Sequence, residues 1–344
     1  MQISHSLLRS DVVGLCSELG QDRLIVQGAG GNVSYKSDNE LWVKASGTWL
    51  ADAAEKDIFV ATDMISLKAA IARDDFGEVP HLISPSRLRP SIETMLHALM
   101  PHRIVAHVHA VDALVHLVQP DCAALLSNRL EEFRDWILID YRKPGAALAA
   151  AVAERLKESG PISAVFLRNH GVVVGGETTD DVRALLELLT TRLYSPARQI
   201  IVKRREQREQ LELGVLPTDY MLLEDEQLEH LVFDEESYSR LLNSWALYPD
   251  HVVFLGPQAL VYESISAWNA RPPSNGGPQY PVFVKGIGIF VPKTFNRAAH
   301  EQLRCYYDVV TRLQPTVKTM TLSAADIASL LDWDAEKYRI GNAK

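Results

Sequence analysis

The sequence predicts an α/β fold in two domains, on three observations. Segments of strand character alternate with segments of helical periodicity along most of the 344 residues. Glycine-rich and polar breaks separate them. Between about Gln210 and Glu229 the text loses periodicity and turns acidic. That change divides the chain into an expected N-terminal domain of residues 1–210 and a smaller C-terminal α/β domain of residues 215–344.

Residues 1–20 place apolar side chains at helical spacing with Arg9, Asp11 and Glu18 between them, an amphipathic helix rather than a secretory signal. "DRLIVQGAGGNVSYKSDNELWVKASG" (22–47) reads as strand, glycine loop, strand, polar turn, strand, and a second small loop at Ser46–Gly47. Residues 62–74 and 91–102 read as helices, the second with Ser91 as N-cap followed by Glu93. "RIVAHVHAVDALV" (103–115) begins as a strand, and residues 145–159 form a helix stopped at Gly160–Pro161. "ISAVFLRNHGVVVGG" (162–176) is a strand, a turn at Asn169–His170–Gly171 and a strand. A long helix from Thr179 is expected to run into the basic stretch 203–209, with Pro196 kinking or interrupting it.

In the C-terminal part, residues 234–247 read as a helix, "HVVFLG" (251–256) as a strand and 257–270 as a helix. The loop 271–281 leads to "VFVKGIGIFV" (282–291), a strand or a strand pair with glycines at a bulge. It suits the core better than a site, so Lys285 and Gly286 are not site candidates. Two helices, 297–313 and 323–333, follow.

Composition narrows the function. A formal charge of −9 argues against nucleic acid or an anionic membrane surface as the main partner. The mixed signs of residues 203–209 suit a solvated helix end. Three widely spaced cysteines, Cys16, Cys122 and Cys305, make neither a disulfide framework nor a thiolate metal site. No run reaches the ~20 apolar residues needed to cross a bilayer. A cytoplasmic location is the expectation.

The chemistry concentrates in four places. His107 and His109 are two apart on an apolar strand, so they share a face with backbones about 6.6 Å apart, close enough to reach one metal ion. The alternative is two separately hydrogen-bonded core histidines, each needing a partner. His170, at a strand-to-turn position before a glycine, would complete a His₃ site with an open coordination position. The loop 27–34 is either an anion-binding nest of backbone amides or a structural turn; it fits neither a Walker A loop nor a dinucleotide fingerprint. Glu93 and His97 share a helix face four residues apart; Glu93 is a surface carboxylate or a ligand or base, and His97 a hydrogen-bonded helix histidine.

Taken in order, "GAGGNVS", "KASG", "PSIE" and "HVHA…NHG" resemble the class II aldolase/adducin family over roughly residues 5–205. The segments 284–293 and 333–339 are similar to the region after the catalytic core in long bacterial aldolase/short-chain-dehydrogenase fusions, whose dehydrogenase half has no counterpart here. The resemblance implies an α/β/α layered domain around a largely antiparallel sheet, and a homotetramer. It implies a divalent metal, zinc first, held by His107, His109 and His170, with Glu93 as acid/base and as a ligand when substrate is absent. It implies anion binding by Asn32, Ser46, Gly47 and Ser91. The family's second serine is Ile92 here, which removes one anchor for a phosphate. Tyr141 is the candidate for the family's tyrosine acid.

The function so implied is a lyase of carbohydrate metabolism, an aldolase acting on a small hydroxy-carbonyl or sugar-phosphate-like compound through a metal-stabilised enediolate. The alternatives are an adducin-type scaffold without catalysis, or dehydratase, epimerase or decarboxylase chemistry on the same site.

Overall fold

The computed structural model describes residues 5–201, 219–272 and 278–343. Helix α1 (His5–Gln21) opens the chain, then strands β1 (Asn32–Ser37) and β2 (Glu40–Lys44), a 3₁₀ turn at Leu50–Ala54, and β3 (Phe59–Asp63). Helices α2 (Met64–Ala72) and α3 (Thr94–Leu99) lead to β4 (Ile104–Val108), then α4 (Val111–Leu117) and α5 (Cys122–Arg129). The rest of this half is β5 (Trp136–Ile139), α6 (Ala146–Ser159), β6 (Ala164–Leu167), β7 (Gly171–Gly176) and α7 (Thr179–Leu193).

The seven strands form one sheet in the order β3-β2-β1-β4-β7-β6-β5. Every pairing is antiparallel except β5 with β6, which α6 connects. Both faces of the central strands are covered. Ile104, Ala106 and Val108 pack with α1, α4 and α7, while Val105 and Val173 pack with α3 and α6 on the other side. Alternate residues of one strand therefore enter different cores, the signature of an α/β/α sandwich.

The C-terminal half contains β8 (Tyr220–Leu222), α8 (His230–Phe233), α9 (Glu235–Asn243), α10 (Pro249–Leu255), β9 (Leu260–Tyr262) and α11 (Ile265–Ala270). The hairpin β10 (Val282–Val284) and β11 (Gly288–Pro292) follows, then α12 (Arg297–Arg312), α13 (Ala324–Leu331) and α14 (Asp334–Asn342). Its sheet runs β8-β11-β10-β9. Phe283, Ile289 and Val291 enter a core shared with α10, α12 and one flank of α4, through Val111, Leu114, Val115 and Val118. The opposite flank of α4, through Ala110, Ala113 and Leu117, lies in the core under the large sheet. Helix α4 is thus common to both cores, and it starts two residues after His109.

Several elements differ from the sequence reading. Residues 22–27 form a turn and not a strand. Asp22 accepts Leu24 N–H through Oδ1 at 2.8 Å and Ile25 N–H through its carbonyl oxygen at 2.9 Å, the self-capping that favours turns at aspartate. Helix α3 begins at Thr94, with Ser91 in the preceding turn. Helix α7 stops at Leu193 instead of entering the basic run. Ser195 precedes a proline, which disfavours helical backbone, and gives its N–H to Asp112 Oδ1. Residues 203–209 and the expected boundary at 210–215 lie outside the described residues.

Residues 251–255 are helical and not a strand, and Gly256 caps the helix. All seven residues of α10 are buried, so no amphipathic period marks it. Residues 257–270 split into β9 and α11, and 282–291 fold as a hairpin. Strands β3 and β5 and helices α5 and α14 had no sequence expectation.

Candidate metal centre

Strand register builds the site. His107 lies opposite Asn32 of β1 and Val173 of β7, and facing residues in antiparallel pairs project to the same side. His109 stands just past the end of β4. His170 occupies the turn between β6 and β7, where Asn169 takes φ 52°. Pairing of β7 with β4 brings that turn beside the strand end. The three rings are buried, with centroids 4.9 Å (His107–His109), 4.8 Å (His107–His170) and 5.4 Å (His109–His170) apart. One nitrogen from each lies within 4.8 Å of the others, a set that could hold a metal ion.

The glycines here make room. A Cβ on Gly171 would collide with the Val108 carbonyl oxygen and stand 3.1 Å from His109 Cδ2. A Cβ on Gly30 would stand 2.7 Å from Asp250 Oδ2 and 3.1 Å from His109 Nδ1. The "GAGG" loop therefore packs behind the histidines, and its Ala29 and Gly31 carbonyls accept from Lys44 Nζ at 3.0 and 2.9 Å.

The nitrogen chemistry fits a cation. His107 Nδ1 lies 3.2 Å from the Val172 carbonyl oxygen, to which it can only donate; the neutral ring then carries its lone pair on Nε2. His109 Nδ1 faces the Asp250 carboxylate at 3.4 Å without a formed hydrogen bond among the described residues. The two Nε2 atoms are 3.1 Å apart. At that separation either one ring donates to the other or both turn lone pairs toward a shared cation. Burial lowers the pKa of both His109 and His170 to about 3, so each is a neutral donor at physiological pH.

Glu93 completes the cluster at the start of α3. Its Oε2 is 3.5 Å from His107 Nε2 and its Oε1 3.7 Å from His170 Nε2. Asn32 Nδ2 donates to Oε2 at 2.9 Å, while Oε1 is buried without a hydrogen-bond partner among the described residues. Burial pushes the Glu93 carboxyl up, but His107, His170 and the Asn32 amide outweigh it and hold the group below its ordinary value. His97 is the hydrogen-bonded helix histidine the sequence suggested. Its Nε2 meets Asn32 Oδ1 and its Nδ1 meets Ser34 Oγ at 2.7 Å, which fixes the Asn32 amide with its NH₂ toward Glu93.

Asn32, Ser46, Gly47 and Ser91 line one cavity of about 30 Å³ with Glu93, His109 and His170. Ser91 Oγ also accepts the Glu93 N–H at 3.2 Å. Tyr141 does not line this cavity. It packs against the C-terminal core, its hydroxyl buried without a hydrogen-bond partner among the described residues and burial raising its pKa.

Four charged lining residues escaped the sequence reading: Lys44, Asp250, Glu336 and Arg339. Lys44 is fully buried, and desolvation lowers its pKa to about 7. Asp250 Oδ1 pairs with Arg339, whose Nε donates to Glu336 Oε2 at 2.6 Å. Helix α14 brings Arg339 and Asn342 against Gly47, where a Cβ would stand 2.6 Å from Asn342 Cβ. Lys44 stood in the quoted "KASG" block, and a lysine entering an apolar strand end was an available signal. Asp250 and Arg339 carried none, because nothing local marks an ion pair 89 residues apart in sequence.

The chain is 29% identical over 178 residues to the uncharacterized oxidoreductase YuxG of Bacillus subtilis, a match covering 47% of this chain and 25% of that protein. The chain thus spans about a quarter of that relative's length. It is 27% identical over 191 residues to an L-fuculose phosphate aldolase of Methanococcus maripaludis, covering 52% of this chain and 90% of the relative. It is 28% identical over 177 residues to a methylthioribulose-1-phosphate dehydratase of Bacillus thuringiensis, covering 46% and 74%. The family model described as Class II Aldolase and Adducin N-terminal domain matches residues 10–194, more than half of the sequence. The chain belongs to the class II aldolase/adducin family.

Proposed function

We propose that this chain is a metal-dependent carbon–carbon lyase of the aldolase type, acting on a small hydroxy-carbonyl compound, with zinc held by His107, His109 and His170. The observation that carries the reading is the approach of two buried imidazole Nε2 atoms to 3.1 Å, with His170 and a carboxylate beside them. Adducin-type scaffolding would leave that cluster without a purpose.

A bound divalent ion would supply Lewis acidity toward a substrate oxygen. The protein's part is proton handling and placement. Glu93, held as a carboxylate by the Asn32 amide, takes a proton from the carbon beside the carbonyl in the condensing direction; in cleavage it returns a proton to that carbon after the carbon–carbon bond has broken. His97 and Ser34 keep Asn32 in the orientation that leaves Oε1 of Glu93 free for this. Ser46, Gly47 and Ser91 orient an anionic or hydroxylated end of the substrate, with Ile92 beside them where a second hydroxyl would serve a phosphate.

Dehydration at the same centre is the second reading, favoured by the resemblance to a methylthioribulose-1-phosphate dehydratase and by the placement of Tyr141 outside the cavity. A catalytic portion at residues 1–210, an accessory portion at 215–344, a homotetramer and a cytoplasmic setting belong to the same proposal. The separate second sheet supports the division, and among the described residues no helix is long and apolar enough to cross a membrane.

The test combines metal analysis of the purified protein with product analysis on hydroxy-carbonyl compounds, with and without phosphorylated ketoses. Aldehyde and ketone fragments from carbon–carbon cleavage are expected, and water loss without cleavage would select the dehydratase. Glu93→Ala should keep its metal while turnover falls about 10²–10⁴-fold. Equal turnover would remove Glu93 from the mechanism.

A further inference from the structure

We infer that Asp250, braced by Arg339, is the positioning residue for the metal ligand His109, so that the C-terminal half completes the metal centre. The inference rests on the metal reading above and adds to it a residue outside the stretch matched by the family model.

The three histidines differ in what lies behind them. His107 is steadied by a carbonyl of its own sheet, Val172 O. His170 Nδ1 and His109 Nδ1 are both buried without a formed hydrogen bond among the described residues, but a carboxylate faces His109 Nδ1. His109 Nδ1 faces Asp250 Oδ2 at 3.4 Å, and both side chains are buried, 2% and 3% exposed. A carboxylate behind a ligand imidazole fixes the ring's tautomer and orientation and raises its basicity, which strengthens metal binding.

Two further features distinguish this from an ordinary structural ion pair. Arg339 occupies Oδ1 of Asp250 and leaves Oδ2 turned toward the imidazole. Gln302 Nε2 donates to Oδ2 at 3.4 Å. Gly30 then supplies the space, since any side chain there would meet Asp250 Oδ2 at 2.7 Å and His109 Nδ1 at 3.1 Å. A glycine loop from the N-terminal half and the first turn of α10 are shaped around one carboxylate–imidazole contact. A buried ion pair kept only for stability gains little over apolar packing of similar volume.

Zinc affinity, measured by competition with a chromophoric chelator, tests the inference alongside the absorption spectrum of the cobalt(II)-loaded protein. Asp250→Ala is expected to bind zinc tenfold to a hundredfold more weakly and to shift the cobalt bands. Asp250→Asn, which keeps an acceptor oxygen, should recover part of the affinity. Arg339→Met should weaken binding without altering any ligand. A folded Asp250→Ala with zinc affinity within twofold of wild type and an unchanged cobalt spectrum would overturn the inference while leaving the metal reading intact. Wild-type protein that binds no zinc overturns both. If Asp250→Ala does not fold, nitrogen-15 histidine NMR of the zinc-loaded wild type decides. A retained, downfield proton on His109 Nδ1 supports the inference, and its absence defeats it.

Discussion

Lys44 shows at the residue scale how burial sets chemistry here. Its ammonium donates to two loop carbonyls in a fully buried position, and its pKa lies near 7 instead of 10.5. Below pH 7 the lysine is charged in both folded and unfolded chains, and the full cost of burying that charge falls on the fold. Between pH 7 and 10.5 the folded protein has released the proton and the unfolded chain still binds it. Stability therefore rises with pH across that window, by up to ~1.4 kcal/mol per pH unit. In chelator-treated protein, the stability gained by Lys44→Met relative to wild type should be greatest at or below pH 7 and shrink toward pH 10.5. Denaturant titrations along that range measure it, and parallel pH profiles would contradict it. The histidines were legible in the sequence for a related reason: two imidazoles on one face of an apolar strand are costly unless something accounts for them. Asp250 and Arg339 were not legible, because a charged residue in a helix ordinarily faces water and only tertiary packing turned these two inward.

Elements were read best where a period or a stop signal was strong. Helix α6, stopped at Gly160 with φ 78°, and the β6–β7 pair around Asn169 lie where the pattern put them. Helix α10 was missed because a short, wholly buried apolar run looks alike as strand or helix. Pro249 in its first turn and Gly256 at its C-cap with φ 97° were the available signals. Residues 22–27 failed for the opposite reason, since Asp22 diverted a strand-like run into a turn. The β6–β7 turn also yields an expectation. Gly171→Ala should displace the Val108–His109 backbone and lower both zinc affinity and melting temperature, whereas Gly14→Ala, with open space at its Cβ, should change neither affinity nor fold. Equal zinc affinity in wild type and Gly171→Ala would show that the close approach is dispensable.

The whole molecule is held together across its two sheets at the site itself. Asn169 Nδ2 donates to the Leu247 and Met320 carbonyls, both at 2.8 Å, so the turn bearing His170 is tied to the C-terminal half. Asn169→Gly keeps the left-handed backbone available and removes only these bonds. Its expected cost is about 2–4 kcal/mol in denaturant melts, from two carbonyls left without donors. Zinc at a hundred times its dissociation constant should stabilise the protein by about 2.7 kcal/mol, seen as a raised melting temperature that His107→Ala abolishes. Hydrogen exchange should show that protection reaching α10 and α14 along with β4. Little of this interlock could be read from the sequence. The change of texture near residue 210 suggested a division, whereas the contacts that cross it are single side chains far apart in the chain.

Helix α4 has a consequence for recombination between homologues. Its opposite flanks fit two different hydrophobic interiors within seven residues. A crossover placed at the end of the recognisable catalytic stretch would join one parent's α4 to the other parent's tail. Such a hybrid meets a mismatched seam directly beneath its histidines. Viable chimeras are therefore expected to inherit α4 and the partners of its outer flank from the same parent.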